Sequence, residues 1–430
     1  MGVKLNILFF LSFFVLSHSL CQVNSRFNFR SNLGQVNFLN KTNNVDKEYH
    51  IVFLLPFCSD NNDFLNTTHL DSLIEKDLEQ LDLYKKTQIS VDFYLGFLSS
   101  LNHFDSVDVK ISIFDIKEGE ESKGILEDIV NDKYLDSVDL IVGPLFTDNF
   151  NFFKDIFDRD IPIVSPFSKK SNIIQDNENV IQFPACLTNQ LRVLSEYISD
   201  SHMKDNLLLI RRDTIFEIHK SATHLSDSLI KDTLIPNDII YSNIMLSNID
   251  TMNMSFEEIK VQDNIIDSIH HKLDTLGMRN VIIIPSEDDV FVTDLLSKLH
   301  ACRDTSMIVY GMPMLSDFNH VSIYDLMDMK VTFPHNKIFN EQEINDFIIN
   351  FSSTYHYIPN LKYSSVGYEL GIYFLEALLD HGSILTYINS KVSETILGTK
   401  YYFEKEKKGG YKNNAALILQ YEEFDFRIIY

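Results

Sequence analysis

The strongest constraint on the fold is the stretch VDLIVGPLFTDNFNFFKDIFDRDIPIVSPFS, residues 138–168. The apolar run Val138 to Val142 ends in Gly143-Pro144. An amphipathic stretch follows, and a second apolar run, Ile161 to Val164, ends in Ser165-Pro166. Short continuous apolar runs suit strands buried on both faces, and helical spacing between them predicts a crossover helix. Strand, helix, strand is the repeating unit of a parallel α/β sheet. In such sheets ligands collect at the carboxyl ends of the strands. One stretch therefore suggests a fold class and a candidate site, and it carries no obvious catalytic group.

The alternation extends in both directions. Upstream, strands are expected over 49–55 and 109–114, and helices over 76–101 and 120–133. Residues 22–47, polar and Asn-rich, read as a flexible leader. After the extended segment Val180 to Pro184 the pattern restarts. Helix 187–202, strand 206–210, helix 215–232 and strand 239–244 come first. A polar insert, helix 262–276, strand 280–284, helix 288–301 and strand 306–310 follow. Another strand at 329–333, helices 341–356 and 363–381, and short strands near the C-terminus complete the pattern. Two βαβ blocks joined by an extended crossing describe two doubly wound, Rossmann-like lobes. The expected division is a signal peptide over 1–21, the leader over 22–47 and two lobes. Lobe one takes 48–182 with about 338–395, and lobe two takes 183–337 with about 396–430.

Length and charge narrow the function. A chain of 430 residues suits two cores. A net charge of -24 repels phosphate backbones, so nucleic acid is not an expected partner. Lys4, the apolar run Leu5 to Leu16 and the small residues Ser17, Ser19 and Cys21 form a secretory signal, with cleavage after Ser19 or, preferred, after Cys21. Leu20 suits a lipobox poorly, which disfavours lipid anchoring at Cys21. No later segment reads as a membrane span, so an exported, periplasmic chain is expected. Cys58, Cys186 and Cys302 are widely spaced and show no metal-ligand pattern. One disulfide among them is compatible with an oxidising compartment.

The motifs IVGPLFTDN (141–149), IPIVSPFSKKSNI (161–173), IQFPAC (181–186), VGYELGIYFLEAL (366–378) and the tail 398–421 together resemble the type I periplasmic-binding-protein family, in its branched-chain amino-acid-binding branch. The resemblance spans about residues 48–430. It implies two lobes joined by a multi-stranded hinge, closing on a ligand by hinge rotation. It also implies ligand contacts from Gly143, Pro144 and Leu145, and from the hydroxyls of Ser165 and Ser168. On the second lobe it implies Asp213 with Phe216, and Ser286 with Glu287. Where the family usually has a Tyr-Gly pair, this chain has Phe216-Glu217.

The residue chemistry agrees in part. Gly lets a backbone approach a ligand, and a helix N-terminus offers free N–H groups to a carboxylate. Carboxylates at 213 and 287 suit an ammonium group. The same residues also serve structure, since Gly and Pro end strands and Ser168 can cap a helix. No G-x-S-x-G, P-loop, HExxH or G-x-G-x-x-G is present. His270 and His271, adjacent on an expected helix, point to different faces and make a poor metal pair. The expected function is a non-enzymatic solute-binding protein for a small polar ligand, with no cofactor and no metal. The alternative is a cell-envelope scaffold or regulator with a degenerate site and a protein partner.

Overall fold

The computed structural model describes residues 28–30, 33–39, 48–66, 83–104, 108–131, 135, 137–213, 237–252, 254–262, 267–302, 306–318, 320–390 and 393–430. The expected signal peptide, the expected helix over 215–232 and Phe216 lie outside these residues. The chain divides into two compact units. One holds residues up to Cys186 together with Asn340–Asn414, and the other holds Leu187–Phe339 with Ala415–Tyr430.

The first unit opens with β1 (Asn28–Arg30) and β2 (Leu33–Leu39), followed by β3 (Tyr49–Leu55). Every residue of β3 is buried, as expected for a strand covered on both faces. Next come α1 (Lys85–Ser100), β4 (Asp108–Asp115), α2 (Gly119–Asn131), β5 (Leu140–Val142), α3 (Thr147–Ile156), β6 (Ile163–Ser165) and β7 (Val180–Ala185). Glu120 and Glu121 sit in the first turn of α2, where the helix dipole favours negative charge.

The second unit runs α4 (Leu187–Ser201), β8 (Asn206–Arg212), α5 (Asn237–Thr251), β9 (Phe256–Val261), β10 (Asn280–Ile283), α6 (Asp289–His300), β11 (Met307–Tyr310), α7 (Ile323–Asp328) and β12 (Thr332–His335). The chain then returns to the first unit with α8 (Glu341–Tyr355), α9 (Leu361–His381), α10 (Ile384–Asn389) and four short strands. These are β13 (Glu394–Ile396), β14 (Thr399–Tyr401), β15 (Phe403–Lys405) and β16 (Tyr411–Asn413). It ends in the second unit with β17 (Leu417–Glu422) and β18 (Asp425–Ile428).

Among the described residues, the first unit's sheet has the order β1-β2-β4-β3-β5-β6-β7-β16-β15, and the second unit's has β18-β17-β12-β11-β10-β8-β9. The central strands of both run parallel. Each sheet has an apolar cluster on both faces. In the first unit, Phe53, Phe93 and Phe374 mark one face and Phe150, Phe153 and Ile163 the other. In the second, Ile282, Leu295 and Phe333 oppose Leu194, Met245 and Ile283. This is the expected doubly wound α/β architecture in both units.

Four local expectations are corrected. Residues 28–30 and 33–39, inside the expected flexible leader, are strands. They pair with each other, and β2 pairs antiparallel with Asp108–Phe114 of β4, occupying an edge that would otherwise stay open. Residues 239–244 are helix, not strand, because Asp238, Ser242, Met245 and Ile249 recur at helical spacing and face α4, where Ser195 donates to the Met245 carbonyl at 2.6 Å. The strand lies instead at β9, inside the expected polar insert, and among the described residues of the expected helix 262–276 the helical element is a short 3-10 turn, Asp267–His271. Finally, residues 396–414 belong with the first unit, because β16 pairs parallel with β7 there. Among the described residues, Cys58, Cys186 and Cys302 are not joined in a disulfide.

Candidate functional site

The strand order locates a switch point in each unit. In the first, the chain leaves β3 to one side for β4 and returns on the other side for β5, which opens a crevice at the carboxyl ends of β3 and β5. In the second, β8 is flanked by β9 and β10 in the same way.

Gly143-Pro144-Leu145 follows β5, and Ser165 to Ser168 follows β6, the next strand. The two turns lie side by side, since the Gly143 N–H donates to the Val164 carbonyl at 2.9 Å. Gly143 has φ +95°, and a Cβ there would lie 2.5 Å from the Leu54 carbonyl oxygen. Glycine is therefore demanded by the neighbouring strand as well as by any ligand. Leu145, Ser165 and Ser168 are buried. The Ser168 hydroxyl accepts weakly from the Lys170 N–H at 3.4 Å, and its carbonyl accepts from the Gln182 amide at 2.8 Å. Phe167 packs on Phe93 and Tyr363, with ring centroids 5.3 and 5.7 Å away. Helix α3 begins right after the first turn, and its N-cap residue Phe146 supplies no side-chain cap.

A polar group beside this turn escapes a motif search. Glu118, beyond β4, accepts from the Tyr84 hydroxyl at 2.9 Å and pairs with Lys86. The Lys86 bond holds the Glu118 carboxyl below the usual carboxylate range. The Lys86 ammonium lies 5.2 Å from the centre of the Phe146 ring. Asp115 accepts from the backbone N–H groups of Cys58, Ser59 and Lys117, each at 3.0 Å, and so fixes the turn after β3. Burial first, and then Asp115, push the Cys58 thiol up to about 11.

In the second unit, Asp213 follows β8, and Ser286 and Glu287 follow β10, its parallel neighbour. Asp213 accepts from the Gln262 amide at 2.8 Å. Ser286 is buried and accepts from the Asp288 N–H at 3.3 Å. Glu287 accepts from the Tyr241 hydroxyl at 2.8 Å. Burial, followed by the Glu287 bond, raises the Tyr241 phenol above its ordinary value. Arg212 bridges Asp238 at 3.2 Å and Asp288 at 2.9 Å, and Asp288 also caps α6 through the Phe291 N–H at 2.8 Å. Arg211, beside Arg212, pairs with Glu258 at 2.7 Å, so among the described residues at this edge Asp213, Asp238, Glu258, Glu287 and Asp288 outnumber Arg211 and Arg212. Arg212 adjoins Asp213 in sequence, which was a usable signal. Asp238 and Tyr241 lay inside or beside a segment whose period suggested a strand. Among the described residues, no group of three or more His, Cys, Asp or Glu side chains is placed to hold a metal, and no helix is long and apolar enough to cross a membrane.

No protein-family model matches the chain, and no curated protein matches it in sequence. Solved structures do match. A putative branched-chain amino acid ABC transporter protein from Rhodospirillum rubrum aligns over 89% of this chain and 99% of its own, at 12% identity and TM-score 0.57. An ABC transporter substrate-binding protein from Desulfitobacterium hafniense, in complex with Leu, covers 89% and 100% at 11% identity and TM-score 0.52. Full-length LpoA from Haemophilus influenzae covers 89% of this chain and 59% of its own, at 9% identity and TM-score 0.52. With these matches and the strand order of both sheets in hand, the chain has the two-lobed α/β fold of type I periplasmic binding proteins.

Proposed function

We propose that this chain is an exported, non-enzymatic solute-binding protein that closes its two units on a small polar ligand, an amino acid or a similar molecule. The observation that carries the reading is that each unit presents polar groups at its own switch-point edge. One has a helix N-terminus without a side-chain cap behind Gly143–Phe146, suited to a carboxylate. The other has a surplus of carboxylates around Arg212, suited to an ammonium group. The solved relative in complex with Leu supports this ligand class.

A thermal-shift screen of amino acids, short peptides and sugars tests the reading. A ligand at 100 times its Kd adds about 2.7 kcal/mol to stability. Glu287→Gln removes one carboxylate and is expected to weaken an ammonium ligand about tenfold, or 1.4 kcal/mol, in titration calorimetry. A flat response across the library counts against solute binding. It favours a second reading, a cell-envelope scaffold whose ligand site stays closed. The burial of Ser165, Ser168 and Leu145 supports that alternative, and a stable partner recovered from envelope extract would favour it.

A further inference from the structure

We propose that β18, the open edge of the second unit's sheet, is a self-association surface that pairs antiparallel with β18 of a second copy of this chain. Among the described strands, β18 pairs only with β17. The opposite edge, β9, carries Glu257, Glu258 and Lys260, charges of the kind that block edge pairing. The β18 edge is instead apolar on alternate residues. Phe424, Ile428 and Tyr430 are 57%, 44% and 61% exposed. Phe426 packs on Phe333, Phe339 and Tyr421 with ring centroids 5.5, 4.7 and 4.8 Å away. An added strand would continue that apolar face.

The turn into β18 adds a second observation. Glu422 pairs with Asp425, so Glu423 and Phe424 form a two-residue turn. Both have left-handed φ, 52° and 66°. Turns of this type favour Asn and Gly, and a bulky aromatic there is strained. The strain holds Phe424 on the surface against the exposed Tyr324, ring centroids 5.2 Å apart. An exposed, strained aromatic is an outlier that points to a contact.

Backbone and charge then select the partner and the register. In a hairpin of this kind, alternate residues bond inward, as the Ile429 N–H does to the Ile418 carbonyl at 2.9 Å. The N–H and C=O groups of Phe426 and Ile428 therefore point away from β17, and the Phe426 N–H, which now donates to the Asp425 carboxylate at 2.7 Å, must leave that bond for the second copy's carbonyl. Placing Phe426 opposite Phe426 of the second copy sets Asp425 opposite Arg427 twice, and Phe424 opposite Ile428 twice. Shifting the axis by one residue sets Arg427 against Arg427, which is repulsive. Arg427 pairs with Glu422 of its own hairpin at 2.9 Å, and Asp425, whose carboxylate accepts from the Phe426 N–H, has no cationic partner among the described residues. The strand is complementary to itself, which favours a second copy over an unrelated peptide.

Sedimentation velocity on the full chain, over a concentration series from micromolar to submillimolar, tests the proposal. A monomer–dimer equilibrium is expected. Arg427→Asp alone, or Asp425→Arg alone, should weaken the dimer about tenfold by opposing like charges. The two together should restore it, a result that loss of folding cannot produce. Phe424→Gly should relieve the turn, raising the thermal midpoint while weakening the dimer. A chain that stays monomeric throughout the series overturns the proposal. So does a dimer that the double reversal fails to restore.

Discussion

His50 shows how a single buried group can set the pH range of the fold. It lies in β3, where every side chain is buried. Nδ1 is 3.2 Å from the Ser137 carbonyl, which can only accept, so Nδ1 carries the proton. Nε2, 2.8 Å from the Ser112 hydroxyl, is then the acceptor, and the ring is neutral. Burial first, and Lys110 second, lower its pKa from 6.5 to about 4. A depressed histidine favours the folded state only while it is neutral. Its contribution is fully present above pH 6.5 and is lost as pH falls toward 4, at about 1.4 kcal/mol per pH unit. Urea unfolding of the wild type and of His50→Gln should therefore converge in this window. A difference between them that holds constant from pH 7 to pH 4 would refute the assignment.

Elements meet most tightly where α1 crosses α9, and three glycines allow it. A Cβ on Gly367 would lie 1.9 Å from the Phe93 carbonyl oxygen, one on Gly96 would lie 2.0 Å from that of Ser364, and one on Gly371 would lie 1.9 Å from the Ser100 hydroxyl. Gly367→Ala must push the helices apart, and a loss of about 3 kcal/mol in chemical unfolding is expected. An unchanged midpoint would mean that the crossing yields cheaply. The helix carrying Gly367 was legible in the motif VGYELGIYFLEAL, but nothing in that motif says which helix it meets. The same limit explains the other gaps. Continuous apolar runs such as Ile51–Leu55 of β3 and β5 announce themselves because burial on both faces favours apolar side chains at successive positions. Helix α5 was misread because Ile239, Ile240 and Ile244 look strand-like until α4 supplies the buried face. Strand β9, with Glu257, Glu258 and Lys260, lacks the apolar signature because it is an edge. Of the candidate site, the turns at Gly143, Ser165 and Ser286 could be found from their strands. The Lys86–Glu118 and Arg212–Asp238 pairs could not, because the sheets bring together residues tens of positions apart.

At the scale of the whole molecule, the chain passes between units three times, after Cys186, Phe339 and Asn414. Each sheet is completed by late strands: β16 joins β7 in the first unit, and β17 joins β12 in the second. Neither unit is a continuous segment, so each must wait for distant residues, a topology that favours slow folding. Each apolar cluster nevertheless draws its residues from one unit. Packing damage should then remain local even though the chain is interleaved. Hydrogen exchange of Gly367→Ala offers a direct measure. Amides of β3, β5 and β6 should exchange faster than in the wild type, while those of β8, β10 and β11 keep their protection. Equal acceleration in both sets would show that the three chain crossings bind the units into one cooperative fold, and a ligand stabilising either unit would then stabilise both.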